Sequence, residues 1–215
     1  MQEEPDGLPP LETILTRYVV AVGGREAVRG LHTRTATLRC ITDLTSRTTP
    51  VYEVDSLSVW STASGEFLVV HRTPGSVLIE GCDGEDTWKI DDGAVRASGF
   101  SWGPRDMWLT DPQFPLRLAE LFPEMELLGI EVWGGEVLYV VKVDADESHR
   151  LGFDIKTGLL TRLGYNKGLR DYSEVDGVLM PMRVIESRKG GSSMFVFDTI
   201  SHNEEMDRQI FSLAR

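Results

Sequence analysis

The stretch FDIKTGLLTRLGYNKGLRDYSEVDGVLMPMRVIE, residues 153–186, decides how this chain is read. Asp154 to Gly158 forms a tight turn, closed by Thr157 and Gly158, between strands that carry Phe153 and Leu160. Further on, Asp176-Gly177 is a type I′ turn signal between runs at about 170–176 and 178–187. Consecutive strand-like runs linked by short turns, with no helix between them, describe an antiparallel meander.

Working outward, the same rhythm continues in both directions. A run at 193–201 follows, and the chain then closes in a polar tail whose apolar anchors are Ile210, Phe211 and Leu213. Upstream, runs at 149–155, 136–143 and 125–133 appear, the last two joined through Gly134-Gly135. Earlier still come 51–60, 66–72, 76–82 and 86–90, separated by Ser-Gly, Pro-Gly, Asp-Gly and Asp-Asp-Gly turns. Ala36, Leu38 and Cys40 alternate with Thr35, Thr37 and Arg39, as in a strand with one wet face. Residues 94–124 break the pattern and hold a short helix built on Leu116, Leu118, Leu121 and Phe122. Asp111-Pro112 reads as its N-cap and first position, and Pro123 stops it.

The N-terminal region is helical. Leu11, Ile14, Leu15, Tyr18, Val19 and Val22 form one apolar stripe, preceded by Pro9-Pro10 and ended by Gly23-Gly24. A second short turn turns Ala27, Val28 and Leu31 inward. The expectation is a mainly β (α+β) chain with roughly ten antiparallel strands. So many strands in one sheet curl into a half-open barrel covered by two or three helices. Residues 1–10 read as a flexible leader and 11–215 as a single domain. The helices at 11–31 and 116–122 are the natural lids of the concave face.

Charge removes several function classes. With 34 acidic and 22 basic residues the chain carries −12, which argues against nucleic acid and against attachment to anionic lipid by charge. No uncharged apolar run approaches the ~18 residues of a membrane helix. No signal peptide is visible, so the start reads either as cytosolic or as a mature chain with an added Met. Cys40 and Cys82 lack CxxC spacing and are read as two half-buried thiols or as one bridge between neighbouring strands.

Catalytic and cofactor signals are weak. Gly99-Phe100-Ser101-Trp102-Gly103 matches the nucleophile elbow of α/β-hydrolases, but Pro104 follows and no parallel sheet surrounds it. His32, His71, His149 and His202 are scattered without metal-ligand spacing, and Asp144-Ala145-Asp146-Glu147 reads as a hairpin tip. No phosphate-cradling glycine loop occurs, so no cofactor is expected. The aromatics are more suggestive. Trp88, Phe100, Trp102, Trp108, Phe114 and Phe122 crowd the break in the strand pattern, as a solid core or as an apolar cavity under a lid. On the second reading Trp88, Phe100, Trp102, Trp108, Leu118, Leu121 and Phe122 are the candidate ligand-binding residues.

Four stretches in this order resemble the LolA-like, outer-membrane lipoprotein-sorting proteins, and their broader bacterial relatives in particular. They are ILTRYVVAVGGREAVRGL (14–31), DGEDTW (83–88), FDIKTGLLTRL (153–163) and DYSEVDGVLMPMRV (171–184). The terminal FSL (211–213), after Asn203, is similar to how such chains close. The resemblance implies a strongly curved antiparallel sheet around a hydrophobic cavity for acyl chains, and a periplasmic or cell-envelope location. The expected function is then non-enzymatic binding of lipid or of a lipidated protein. The alternatives are an envelope sensor or scaffold module that binds a protein partner and, third, a hydrolase built on Ser101.

Overall fold

The structure, a computed structural model, describes residues 7–43, 52–91, 93–97, 107–144, 149–188 and 191–212. One antiparallel sheet of thirteen strands dominates the described residues. Its first ribbon is β1 (Thr33–Asp43), β2 (Tyr52–Thr62), β3 (Phe67–Arg72), β4 (Val77–Cys82), β5 (Thr87–Asp91) and β6 (Ala94–Ala97). The second is β7 (Glu126–Trp133), β8 (Glu136–Lys142), β9 (Arg150–Asp154), β10 (Leu160–Leu163), β11 (Lys167–Val175), β12 (Val178–Arg188) and β13 (Gly191–His202). Within each ribbon every strand pairs with its neighbours in sequence, and β1 pairs with β13 to join the two. The edges, β6 and β7, stay unjoined among the described residues, so the curled sheet is open.

The turn chemistry has its expected consequences. Phe153 pairs with Leu160, and one Asp154 carboxylate oxygen accepts from the Lys156 and Thr157 amides and the Thr157 hydroxyl. Asp176 and Gly177 adopt φ of 52° and 80°, the left-handed pair a type I′ turn requires. Both turns grip α1 (Leu11–Ala21). A Cβ on Gly158 would lie 3.3 Å from the Arg17 carbonyl, and the Arg17 guanidinium donates to the Ile155 carbonyl. At the helix end, a Cβ on Gly23 would lie 2.5 Å from the Gly177 carbonyl, while the Leu179 amide donates to Val22. Three of the four stretches that carry the resemblance therefore meet at one helix. The fourth, DGEDTW, makes an Asx turn on Asp83 and places Trp88, whose indole donates to the Phe211 carbonyl of a closing 3-10 turn (Arg208–Phe211). Asn203 bonds the His32 amide and the Gly30 carbonyl, tying the end of β13 to the segment after α2 (Arg25–Arg29).

Three elements differ from expectation. Ala94–Ala97 adds a sixth strand inside the supposed break; four residues are too short to display a period. A single helical turn, α3 (Met107–Thr110), precedes α4 (Phe114–Leu121). Asp111-Pro112 does not start α4. Gln113 is its N-cap, and the Asp111 carboxylate instead accepts from the Gln113 amide and pairs with Arg117 at 3.1 Å. Cys40 and Cys82 are not bridged to one another; Cys40 is buried and Cys82 partly so.

The core lies between the helices and the face carrying Leu38, Val59, Val69, Val141 and Phe153. Tyr18 meets Phe153 edge to face, with ring centroids 5.5 Å apart. Burying each such side chain contributes about 1.5–3 kcal/mol, which is what folds the helices onto the sheet.

Candidate functional site

The site begins with strand parity. Arg34 falls on the same side of β1 as Ala36, Leu38 and Cys40, all of them buried, and is itself only 2% exposed. Its partners are neutral. The Nε–H donates to His202 Nε2 at 3.2 Å, across the β1–β13 register. Nη1 donates to the Trp108 and Leu109 carbonyls at 2.9 and 3.2 Å, and Nη2 reaches the Met180 thioether at 3.6 Å. One cation thus binds α3 to the seam between the two ribbons.

The surroundings shift the titrating groups. Burial pushes the Arg34 guanidinium down to about 10. Burial, and then the positive charge of Arg34, lower His202 to about 4. A neutral His202 fits the bonding, its Nε2 accepting from Arg34 and its Nδ1 donating to Asp176 at 3.1 Å. Asp111, its carboxylate 2% exposed, is pushed up by burial despite Arg117 and Arg34. Burial also raises the Tyr18 and Tyr172 hydroxyls well above their ordinary value, and the Tyr172 hydroxyl donates to the Leu160 carbonyl.

A pocket opens beside this cation. Tyr18 of α1, Trp108 of α3, Phe114 and Pro115 of α4, Leu160, Leu169 and Tyr172 line it, with Leu179, Met180 and Pro181 of β12. About 340 Å³ of unfilled space lies in and before it, much of it open to solvent, and its narrow interior of about 20 Å³ holds about one water molecule. The Trp108 indole N–H is buried without an acceptor, while its ring packs edge to face on Phe197. A second, wetter hollow of about 520 Å³ lies between α1 and α4, lined by Leu15, Val19, Leu116 and Leu118, with Glu12 and Arg25 among its polar groups. Pro115 borders both.

The expected ligand-binding residues separate. Trp108 lines the first pocket, and Leu118 the second. Leu121 and Phe122 pack in the core beside them. Trp88 lies in register with Gly81, Leu68 and Trp60, on the face opposite Val59 and Val69, where it secures the C-terminal turn. Phe100 and Trp102 lie outside the described residues, as does the whole Gly99–Gly103 string with Ser101. His71 pairs with Asp55, and His149 with Asp144; no group of three metal-ligating side chains forms among the described residues. No described helix is long and apolar enough to cross a membrane. Arg34, Tyr18, Tyr172 and Met180 were not among the expected residues. Their signal was available in part, since Arg34 shares the parity of Ala36, Leu38 and Cys40.

No protein-family profile matches the chain, and no curated protein does. Solved structures do. A LolA superfamily protein from Nitrosomonas europaea aligns over 96% of this chain and 99% of its own, with a TM-score of 0.60 and 14% identity. A DUF1329 family protein from Desulfovibrio piger aligns over 95% and 98%, with a TM-score of 0.60 and 13% identity. An outer membrane lipoprotein-sorting protein domain from Vibrio parahaemolyticus aligns over 93% and 96%, with a TM-score of 0.56 and 11% identity. The open antiparallel sheet, the helices on its concave face and these alignments together identify a LolA-like fold.

Proposed function

We propose that this chain is a non-enzymatic protein of the cell envelope that binds an acyl chain between its helices and the concave face of the sheet. One observation carries the reading. The pocket under α3 and α4 is walled by aromatic and aliphatic side chains from six elements, in a fold shared with a lipoprotein-sorting domain. Burial of an acyl chain contributes about 0.8 kcal/mol per methylene, so roughly ten methylenes drive binding without catalysis or charge. The pocket as it stands is narrow, so entry of a chain requires α3 and α4 to shift.

Native mass spectrometry of the purified protein tests this, with co-purified lipid as the expected result. Titrating a long-chain fatty acid or lysophospholipid should blue-shift the tryptophan emission. Trp108→Phe should reduce that signal and Trp60→Phe should leave it. A flat titration with no co-purified lipid ends the carrier reading.

The second reading, a module that recognises a protein partner, is favoured by the outer side of β7, which has no partner strand among the described residues. Leu128, Ile130, Val132 and Val137 are 40–72% exposed on β7 and β8. An apolar patch beside an edge strand suits addition of a partner's strand.

A further inference from the structure

A guanidinium carries five N–H donors and no acceptor, and a buried one needs a negative partner or a full set of bonds. Arg34 has neither. His202 and two backbone carbonyls take three donors, and Nη2 faces only the thioether of Met180, a weak acceptor that itself lines the pocket. Asp111 influences Arg34 through space, but its oxygens serve Arg117 and the Gln113 amide. Trp108, another wall of the pocket and 7% exposed, has a buried indole N–H with no acceptor. The pocket therefore combines a cation with no carboxylate bonded to it, a wall residue with an orphan donor and otherwise apolar or tyrosine walls. What would complete it is an oxygen-bearing anion on an apolar body.

We infer that Arg34 and the Trp108 indole N–H are the polar anchor of this pocket, holding the carboxylate headgroup of a single-chain amphiphile against Arg34 Nη2. The inference rests on the acyl-binding reading above and names the ligand class. A carboxylate supplies acceptors to two donors at once and the charge that Arg34 lacks. An ester or an alcohol supplies a bond without the charge. The narrow interior suits a planar carboxylate standing where one water fits, rather than a bulkier phosphodiester. Tyr18, Leu160, Leu169 and Leu179 then line the path of the chain.

The test holds chain length constant and varies the headgroup. Palmitate, methyl palmitate and hexadecanol are titrated calorimetrically into the full-length protein. Palmitate should bind about tenfold tighter than the other two, the worth of one charge-assisted bond. Arg34→Gln should abolish that preference while leaving chain-driven affinity close to that of the ester. Trp108→Phe should weaken palmitate severalfold and leave hexadecanol nearly unchanged. Equal affinities for all three ligands in the wild type overturn the anchor and leave the acyl-binding reading standing. No binding by any of them removes both. The wild-type comparison needs no variant, so it decides the matter even if Arg34→Gln does not fold.

Discussion

Arginines occupy two contrasting places in this sheet. At the seam of the two ribbons, Arg34 is buried beneath helices and bonded to carbonyls, an imidazole and a thioether. At the far end of the second ribbon, Arg162 and Arg170 lie over the Trp133 ring, 5.5 and 5.1 Å from its centroid. There Glu131 takes both Arg150 and Arg162, and Glu136 lies 3.4 Å from Arg170. Those carboxylates are partly open to water, 42% and 34% exposed. The difference is one of redundancy. In the Trp133 cluster each arginine faces a carboxylate that is partly open to solvent. Arg34 alone satisfies two carbonyls of α3, and nothing nearby replaces it.

The sharpest way to break this contrast is to replace each cation by leucine. Arg34→Leu leaves the Trp108 and Leu109 carbonyls without their donor, at about 1–3 kcal/mol each. Chemical denaturation should show a loss of about 3 kcal/mol or more. Arg170→Leu also removes a donor from two carbonyls, those of Thr161 and Leu169, but its side chain is 24% exposed and water can take its place, so the loss should be about 1 kcal/mol. Equal losses would show that the two sites are not energetically distinct.

A pH titration probes the same contrast next. His202 is held down to about 4 in the folded protein, from an ordinary 6.5. Below 6.5 the unfolded chain takes up a proton that the folded chain refuses, so this group's contribution is complete above that pH and is lost as pH falls toward 4. Asp111 works in the opposite sense, since burial pushes its carboxyl up. The Tm should fall by a few degrees across this window, and His202→Gln should flatten that fall relative to wild type. An identical slope in both would mean that His202 is not held neutral in the folded protein.

Arg34→Lys should lie between the extremes, at about 1–2 kcal/mol. The charge remains, but a single ammonium cannot reproduce the planar fork that bonds His202 and two carbonyls together. The smallest effect should be salt. Raising ionic strength to 1 M, where the Debye length is about 3 Å, should reduce the cost of Arg170→Leu by the share of its ion pair with Glu136 and leave that of Arg34→Leu nearly intact.

The architecture was readable because its signals are local. A period of two, Asp-Gly and Gly-Gly turns, and one apolar helical stripe are all written within about a dozen residues. Hence the curled antiparallel sheet, the Phe153–Leu160 hairpin and α1 follow from sequence alone. β6 and α3, four residues each, carry too little periodicity to be seen. The site was harder for a physical reason. Aromatic crowding pointed to Trp108, but it also pointed to Trp88, which packs on the opposite face. Arg34 gains its meaning from carbonyls 74 and 75 residues away and a histidine 168 away. Its place on the apolar side of β1 was visible, but its partners were not.

The seam where Arg34 sits also bears on how the chain reaches its native state. Among the described residues, eleven of the twelve strand pairings are formed between neighbours in sequence, and only β1 with β13 spans the chain. Bringing Arg34 and His202 together closes a loop of 168 residues. Its entropic cost is about 4.5 kcal/mol by the logarithmic loop law, before any constant. Each ribbon can zip along its own length at little cost, whereas stitching the two is a single, topologically distant event. Folding should therefore be gated by the seam. Substitutions in β1 and β13 should slow refolding, while those in the outer hairpins should chiefly hasten unfolding.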